Sequence, residues 1–245
     1  MARSRSTLVR VVVTLVALAV VLVGADLAAR AWATGRAEQE LQQRLALPQE
    51  PQVDLGGGSF LWQALRGRYE DVAVTAGQVP AGEITLDEVR VHLPAVRAPL
   101  GALAGGSGTV DVAAGTFTAD AGFAELLQQV DTGPLDVVLT RDGDDVRAAT
   151  TVRVLGLSTE LSLTVEPRLD GDAVQLVPVA AEAAGQEVPL SRARRLLASA
   201  GVDALDGWTV ALDEVPGEVE LRDLTVTDEG VRVSGVVLAT STDLG

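Results

Sequence analysis

The chain has 245 residues, 47% of them hydrophobic but only 3% aromatic, so its core is built from Val, Leu and Ala. It carries 19 basic against 34 acidic residues, a net charge of −15, and every basic residue is Arg; that balance argues against a nucleic-acid partner, which needs clustered positive charge. One His and no Cys exclude disulfides, thiolate ligands, Cys nucleophiles and a lipid-modified N-terminal Cys, and disfavour a transition-metal site built on N and S ligands.

Arg3, Arg5 and Arg10 precede a run from Val11 to Ala25 without a charge. Basic residues ahead of an apolar run form an export signal, and the positive flank stays inside. Two readings stand side by side. Ala31-Trp32-Ala33 resembles a small-x-small cleavage site, which frees the mature chain. Alternatively the segment stays as a signal anchor, with Leu8 and Val9 extending a run that is short for a full span of roughly 20 residues. Both make residues 1–33 a targeting segment and residues 34–245 the working domain, outside the cytoplasmic membrane. A Lys-free chain rich in Ala, Val, Gly and Arg fits a high-GC genome, plausibly actinobacterial.

Gly35 to Leu47 reads as a helix closed by Pro48 and Pro51. Gly56-Gly57-Gly58 reads as a flexible break, and Ser59 as the cap of a short helix through Phe60, Leu61, Trp62, Gln63, Ala64 and Leu65. From Tyr69 the period becomes two, with a turn at Gln78 to Gly82, and Ile84 and Leu86 follow on one face. The phase then flips at Asp87-Glu88 to Val89, Val91 and Leu93, which reads as a β-bulge or sharp bend. A loop spans Ala98 to Gly108, a strand Thr109 to Thr118, and a short helix Phe123 to Val130.

Pro134 to Arg141 and Val146 to Leu155 read as strands around the turn Asp142-Gly143-Asp144. Leu157 to Leu169 alternates apolar and polar residues along a long half-buried strand, and Asp170-Gly171-Asp172 is a hairpin turn. Val174 to Val179 returns with a phase flip. Leu190 to Ala200 is a helix bearing Arg192, Arg194 and Arg195. Trp208 to Leu212 opens another strand. Val219 and Leu221 flip to Leu224 and Val226, and a turn at Asp228-Glu229-Gly230 leads to a last strand, Val231 to Val237. The expected fold is α+β, a mainly antiparallel and strongly curved sheet that wraps a helix or a ligand.

Little in this pattern carries catalysis. His92 reads as an exposed strand residue. Gly105-Gly106-Ser107-Gly108 lacks the closing Gly of a nucleophile elbow. The acidic turns lack the twelve-residue calcium loop, and Asp87-Glu88 and Asp213-Glu214 point to opposite faces if extended. No catalytic residue, metal ligand or cofactor is expected. The binding candidates are Phe60, Leu61, Trp62, Leu65 and Tyr69, either a plug at the end of the core or a mobile lip that touches a membrane or an acyl chain. The Val, Leu and Ala interior reads equally as an aliphatic channel or a filled core.

The stretch from Gly57 to Val72, with Phe60-Leu61, a short helix and Gly67-Arg68-Tyr69 before Glu70, resembles the LmeA-like phospholipid-binding family of actinobacterial envelopes. Asp228-Glu229-Gly230-Val231 resembles that family's late turn. Ser59 stands where some relatives have Pro. The resemblance implies a tubular lipid-binding fold, a phospholipid partner and a role in envelope lipid or lipoglycan assembly. A structural scaffold of the envelope is the alternative; a hydrolase or transferase acting on envelope polymers would need paired carboxylates.

Overall fold

The computed structural model describes residues 3–81, 84–99, 108–128, 132, 135–154, 157–171, 173–199, 208–211 and 218–244. The first element is one continuous helix, α1 (Arg3–Arg44); the helix expected from Gly35 to Leu47 is its C-terminal part and ends at Arg44. Asp26 and Arg30 lie within it, and both bond to residues outside it. The helix ends four residues before Pro48. Ala46 turns left-handed (φ 49°), and Leu47 N–H reaches back to Gln42 O at 3.0 Å, a Schellman-like closure.

Two antiparallel sheets follow. The larger runs β1 (Gln52–Leu55), β2 (Arg68–Ala81), β3 (Ile84–Arg97), β5 (Gly115–Gly122), β13 (Gly230–Val237) and β12 (Val219–Val226), with β4 (Gly108–Val112) and β14 (Thr240–Leu244) attached beside β3. The smaller runs β10 (Gln186–Glu187), β9 (Ala173–Ala183), β8 (Leu157–Asp170), β7 (Asp145–Val154) and β6 (Val137–Asp142), with β11 (Trp208–Ala211) on β9. Short helices α2 (Phe60–Arg66), α3 (Phe123–Gln128) and α4 (Leu190–Ser199) complete the described elements. The expected strand from Thr109 to Thr118 is therefore two strands. Gly115 lies so close to β3 that a Cβ there would stand 2.3 Å from His92 O, so the chain steps from one stretch of β3 to another between Val112 and Gly115. The turn expected from Gln78 begins later, because β2 stays paired to Ala81; residues 82 and 83 lie outside the described residues.

Each phase flip has a structural counterpart. In β9 the ladder shifts between Thr164 and Val165, leaving Val179 as the extra residue. In β12 it shifts between Leu221 and Asp223, leaving Arg222 extra. Both are β-bulges, which bend a strand and raise its twist. The flip at Asp87 is different. The β2–β3 register is unbroken across it, but Gln78, opposite Asp87, is left-handed (φ 52°). The burial phase changes on both strands at once, from Ala76 to Val79 and from Leu86 to Val89. The same device recurs where left-handed Asp71 (φ 59°) faces Pro94, which has no N–H to donate.

These bends let both sheets face one core with α3 and α4. Ala76, Ile84, Leu86, Ala119 and Val233 of the larger sheet meet Val146, Val152, Leu161, Leu163, Val165 and Leu176 of the smaller. Phe123 and Leu126 of α3 and Ala193 and Leu197 of α4 complete it, while Arg192, Arg194 and Arg195 face outward. The curved sheets thus enclose short helices, as expected, without closing into a barrel. The turn at Gly143-Asp144 is a two-residue hairpin with Gly143 at φ 68°, as its sequence indicates.

Candidate functional site

Among the described residues, apolar cavities lie in the interior, and two of them adjoin. One, of about 60 Å³, lies against the inner face of the smaller sheet, where Leu139, Val146, Leu161, Leu163 and Val165 meet Leu197 of α4. The other, of about 40 Å³, lies between the sheets among Ile84, Leu86, Phe117, Val174, Val231 and Val233. Leu126 and Leu176 line both. The polar side chains in these walls are Thr132 and Thr150, both in the first cavity.

The five candidate residues divide by burial. Phe60 (6% exposed) and Tyr69 (4%) belong to a second, smaller core with Ala64, Val72 and Ala98; their rings lie 6.0 Å apart, tilted by 39°. Leu61 (41%), Trp62 (54%) and Leu65 (71%) are exposed on the opposite face of α2. The Arg66 guanidinium stacks over the Trp62 ring at 4.2 Å. The block is therefore part core and part surface: its aromatic pair packs into the smaller core, and its aliphatic and indole side chains face out. The Tyr69 hydroxyl is buried with no hydrogen-bond partner among the described residues, and burial raises its pKa.

Hydrogen bonds fix α2 at both ends. Ser59 Oγ accepts from Trp62 N–H at 3.3 Å, the expected N-cap. The same hydroxyl donates to Asp26 Oδ1 of α1 at 2.7 Å, and Leu61 N–H donates to that oxygen at 2.8 Å. Arg30 of α1 donates to Gly58 O, and Ala29 and Ala33 pack on the Phe60–Tyr69 core. At the other end Gly67, left-handed at φ 60°, donates to Ala64 O. A Cβ on Gly67 would stand 3.0 Å from Ala98 O.

The glycine run is likewise held, not a free break. Gly56 N–H donates to Asp71 O at 2.9 Å. Buried Gln63, a residue with no signature in the sequence beyond its place in α2, donates to Gly56 O and Gly58 O and accepts from Glu70 N–H at 2.8 Å. Its polar character inside an otherwise apolar block was the available signal, since a buried amide requires partners.

His92 lies on the exposed side of β3, with Nε2 2.7 Å from Asp71 Oδ1, a surface pair across strands. Gly105, Gly106, Ser107, Asp213 and Glu214 lie outside the described residues. Among the described residues no group of three or more His, Cys, Asp or Glu side chains is placed to hold a metal ion.

The sequence model of the LmeA-like phospholipid-binding family matches residues 24–236. No curated protein and no solved structure matches the chain. The match spans most of the 245 residues, and the chain belongs to the LmeA-like phospholipid-binding family.

Proposed function

We propose, from that membership, that the chain holds phospholipid by its acyl chains between the two sheets, outside the cytoplasmic membrane, in support of envelope lipid or lipoglycan assembly. Its role is binding or transfer rather than catalysis. The family match over residues 24–236 carries this reading, and the two apolar cavities that share Leu126 and Leu176 support it. At about 60 and 40 Å³ they are far below the roughly 300–1,000 Å³ of a pocket for a drug-sized ligand. Uptake of an acyl chain therefore requires Leu126, Leu176 and their neighbours to give way, widening the gap between sheets and helices.

In this reading Phe60 and Tyr69 close one end of the fold, and Leu61, Trp62 and Leu65 form the lip that lipid meets. The N-terminal segment remains as an anchor. Residues 1–33 reach the membrane and residues 34–245 form the lipid-binding domain, with the last turns of the anchor docked on it. Support comes from α1 itself, which continues through Ala33, contacts α2 through Asp26 and Arg30, and contacts β1 where Val53 N–H donates to Glu38 Oε1 at 3.0 Å. Cleavage after Ala33 would separate these two attachments.

Native mass spectrometry of the detergent-extracted full chain, with extraction and identification of retained lipid, tests the reading. Phospholipid held at a fixed stoichiometry after exhaustive detergent washing is the expected result, with lower occupancy for Phe60→Ala and Trp62→Ala. A lipid-free mass that stays unchanged after incubation with phospholipid refutes it and leaves a filled core and the scaffold reading.

A further inference from the structure

The helix that crosses the membrane also fixes the height of α2. An α-helix rises about 1.5 Å per residue, and the hydrocarbon core is about 30 Å thick. Asp26 lies 16 residues after Arg10 and 21 after Arg5. If Arg10 marks the inner boundary, Asp26 is about 24 Å up, still short of the outer edge of the hydrocarbon; if Arg5 does, it is about 32 Å up and level with that edge. In either case the Asp26 carboxylate does not clear the headgroups. A carboxylate at that depth needs hydrogen-bond partners, and Ser59 Oγ and Leu61 N–H supply them from α2.

We propose that α2 lies in the outer headgroup layer of the membrane that α1 crosses, held at that depth by Asp26, with Leu61, Trp62 and Leu65 dipping into lipid. The composition of the face fits this occupant. Leu61, Trp62 and Leu65 are exposed together, and an amphipathic helix buries such residues at the headgroup–acyl boundary. Exposed Arg66 and Arg68 flank them, with Arg66 stacked on the indole; among the described residues neither forms an ion pair, which leaves both for lipid phosphate. Trp32 (68% exposed) lies six residues beyond Asp26, about 9 Å higher, where Trp gathers at membrane interfaces. The Asp26 latch thus delivers the lip of the lipid-binding domain to the leaflet from which lipid is drawn. The inference rests on α1 crossing the membrane, as proposed above, and is independent of whether the interior takes up lipid.

The chain has no Cys, so Leu65→Cys gives a single attachment point for a nitroxide on the full-length protein in phosphatidylcholine–phosphatidylglycerol vesicles. Leu18→Cys, in the apolar run, reports on the anchor itself. Power-saturation measurements compare collisions with oxygen, which concentrates in lipid, and with a water-soluble nickel chelate. The expected result is a deep label at Leu18 and a label at Leu65 that collides more with oxygen than with nickel. Adding Asp26→Ala should reverse that ratio at Leu65 and leave Leu18 deep. A deep Leu18 label with Leu65 open to nickel overturns the inference while the anchor stands. A Leu65 label shielded from both reagents also overturns it, because protein would then cover α2. A Leu18 label open to nickel removes the anchor and the inference with it.

Discussion

Leu176→Ala probes the interior directly, because Leu176 is buried and lines both cavities. The substitution removes three carbon atoms. At about 0.8 kcal/mol per buried methylene the transfer cost is about 2.4 kcal/mol, and the space left behind brings the total to about 3–4 kcal/mol. For a chain of this size about 1 kcal/mol corresponds to 2–4 °C, so Tm should fall by about 6–16 °C. The assay is thermal unfolding of the full chain by circular dichroism, in micelles of a detergent too bulky to enter the interior. The same substitution joins the two cavities, so added phospholipid should restore much of the loss; a ligand at 100 times its Kd stabilises by about 2.7 kcal/mol. A fall of less than about 2 °C would refute the packing argument. Phospholipid that raises Tm for neither protein would refute the interior as its site.

Three further changes test separate parts of the fold. Gly235→Ala places a Cβ 2.1 Å from Glu220 O and 2.7 Å from the Phe117 ring beside the β12 bulge; denaturant titration should show a loss of about 2–3 kcal/mol, and a neutral result would remove the bulge. Tyr69→Phe deletes a buried hydroxyl with no partner among the described residues, so delipidated protein should gain about 1 kcal/mol; a loss would mean that the hydroxyl has a partner. Ala184→Asn sits in a two-residue hairpin where Ala184 and Gly185 are both left-handed (φ 52° and 74°), and should raise stability by about 0.5–1 kcal/mol by the preference of such turns for Asn-Gly, read as a higher urea midpoint.

Where local chemistry decides, the sequence was a good guide. Ser59 before an apolar turn and Gly67 after it bound α2, and the alternation from Leu157 to Leu169 marks β8. The phase flips located the bends, because a half-buried strand cannot change its apolar face without a bulge or a left-handed residue. What alternation could not distinguish was an added residue, as at Val179 and Arg222, from a paired bend, as at Gln78 and Asp87; that depends on the partner strand. β1, β10 and β14 have no sequence signature for a related reason. Gln52–Leu55 is four residues between a Pro and three Gly, Gln186–Glu187 only two, and Thr240–Leu244 largely polar. Such segments become strands by pairing, not by propensity.

The continuity of α1 is not legible locally: Asp26 and Arg30 interrupt the apolar run, and their partners, Ser59, Leu61 and Gly58, lie about 30 positions away in the chain. The same long-range contacts hold the glycine run that composition alone marks as flexible. Aromatic density singles out the Phe60–Tyr69 block as a candidate. Its division into a buried pair and an exposed face follows from how α2 sits on β2, which a helix of seven residues does not encode.

The most direct test of the central claim is photo-crosslinking of the full chain with a phospholipid carrying a diazirine near the end of one acyl chain, followed by peptide mapping. Lipid held between the sheets predicts adducts on the strands that carry Leu161, Leu163 and Leu176, suppressed by excess unlabelled phospholipid. Adducts confined to α1 and α2 would contradict it and leave a membrane-docked protein whose interior is a filled core.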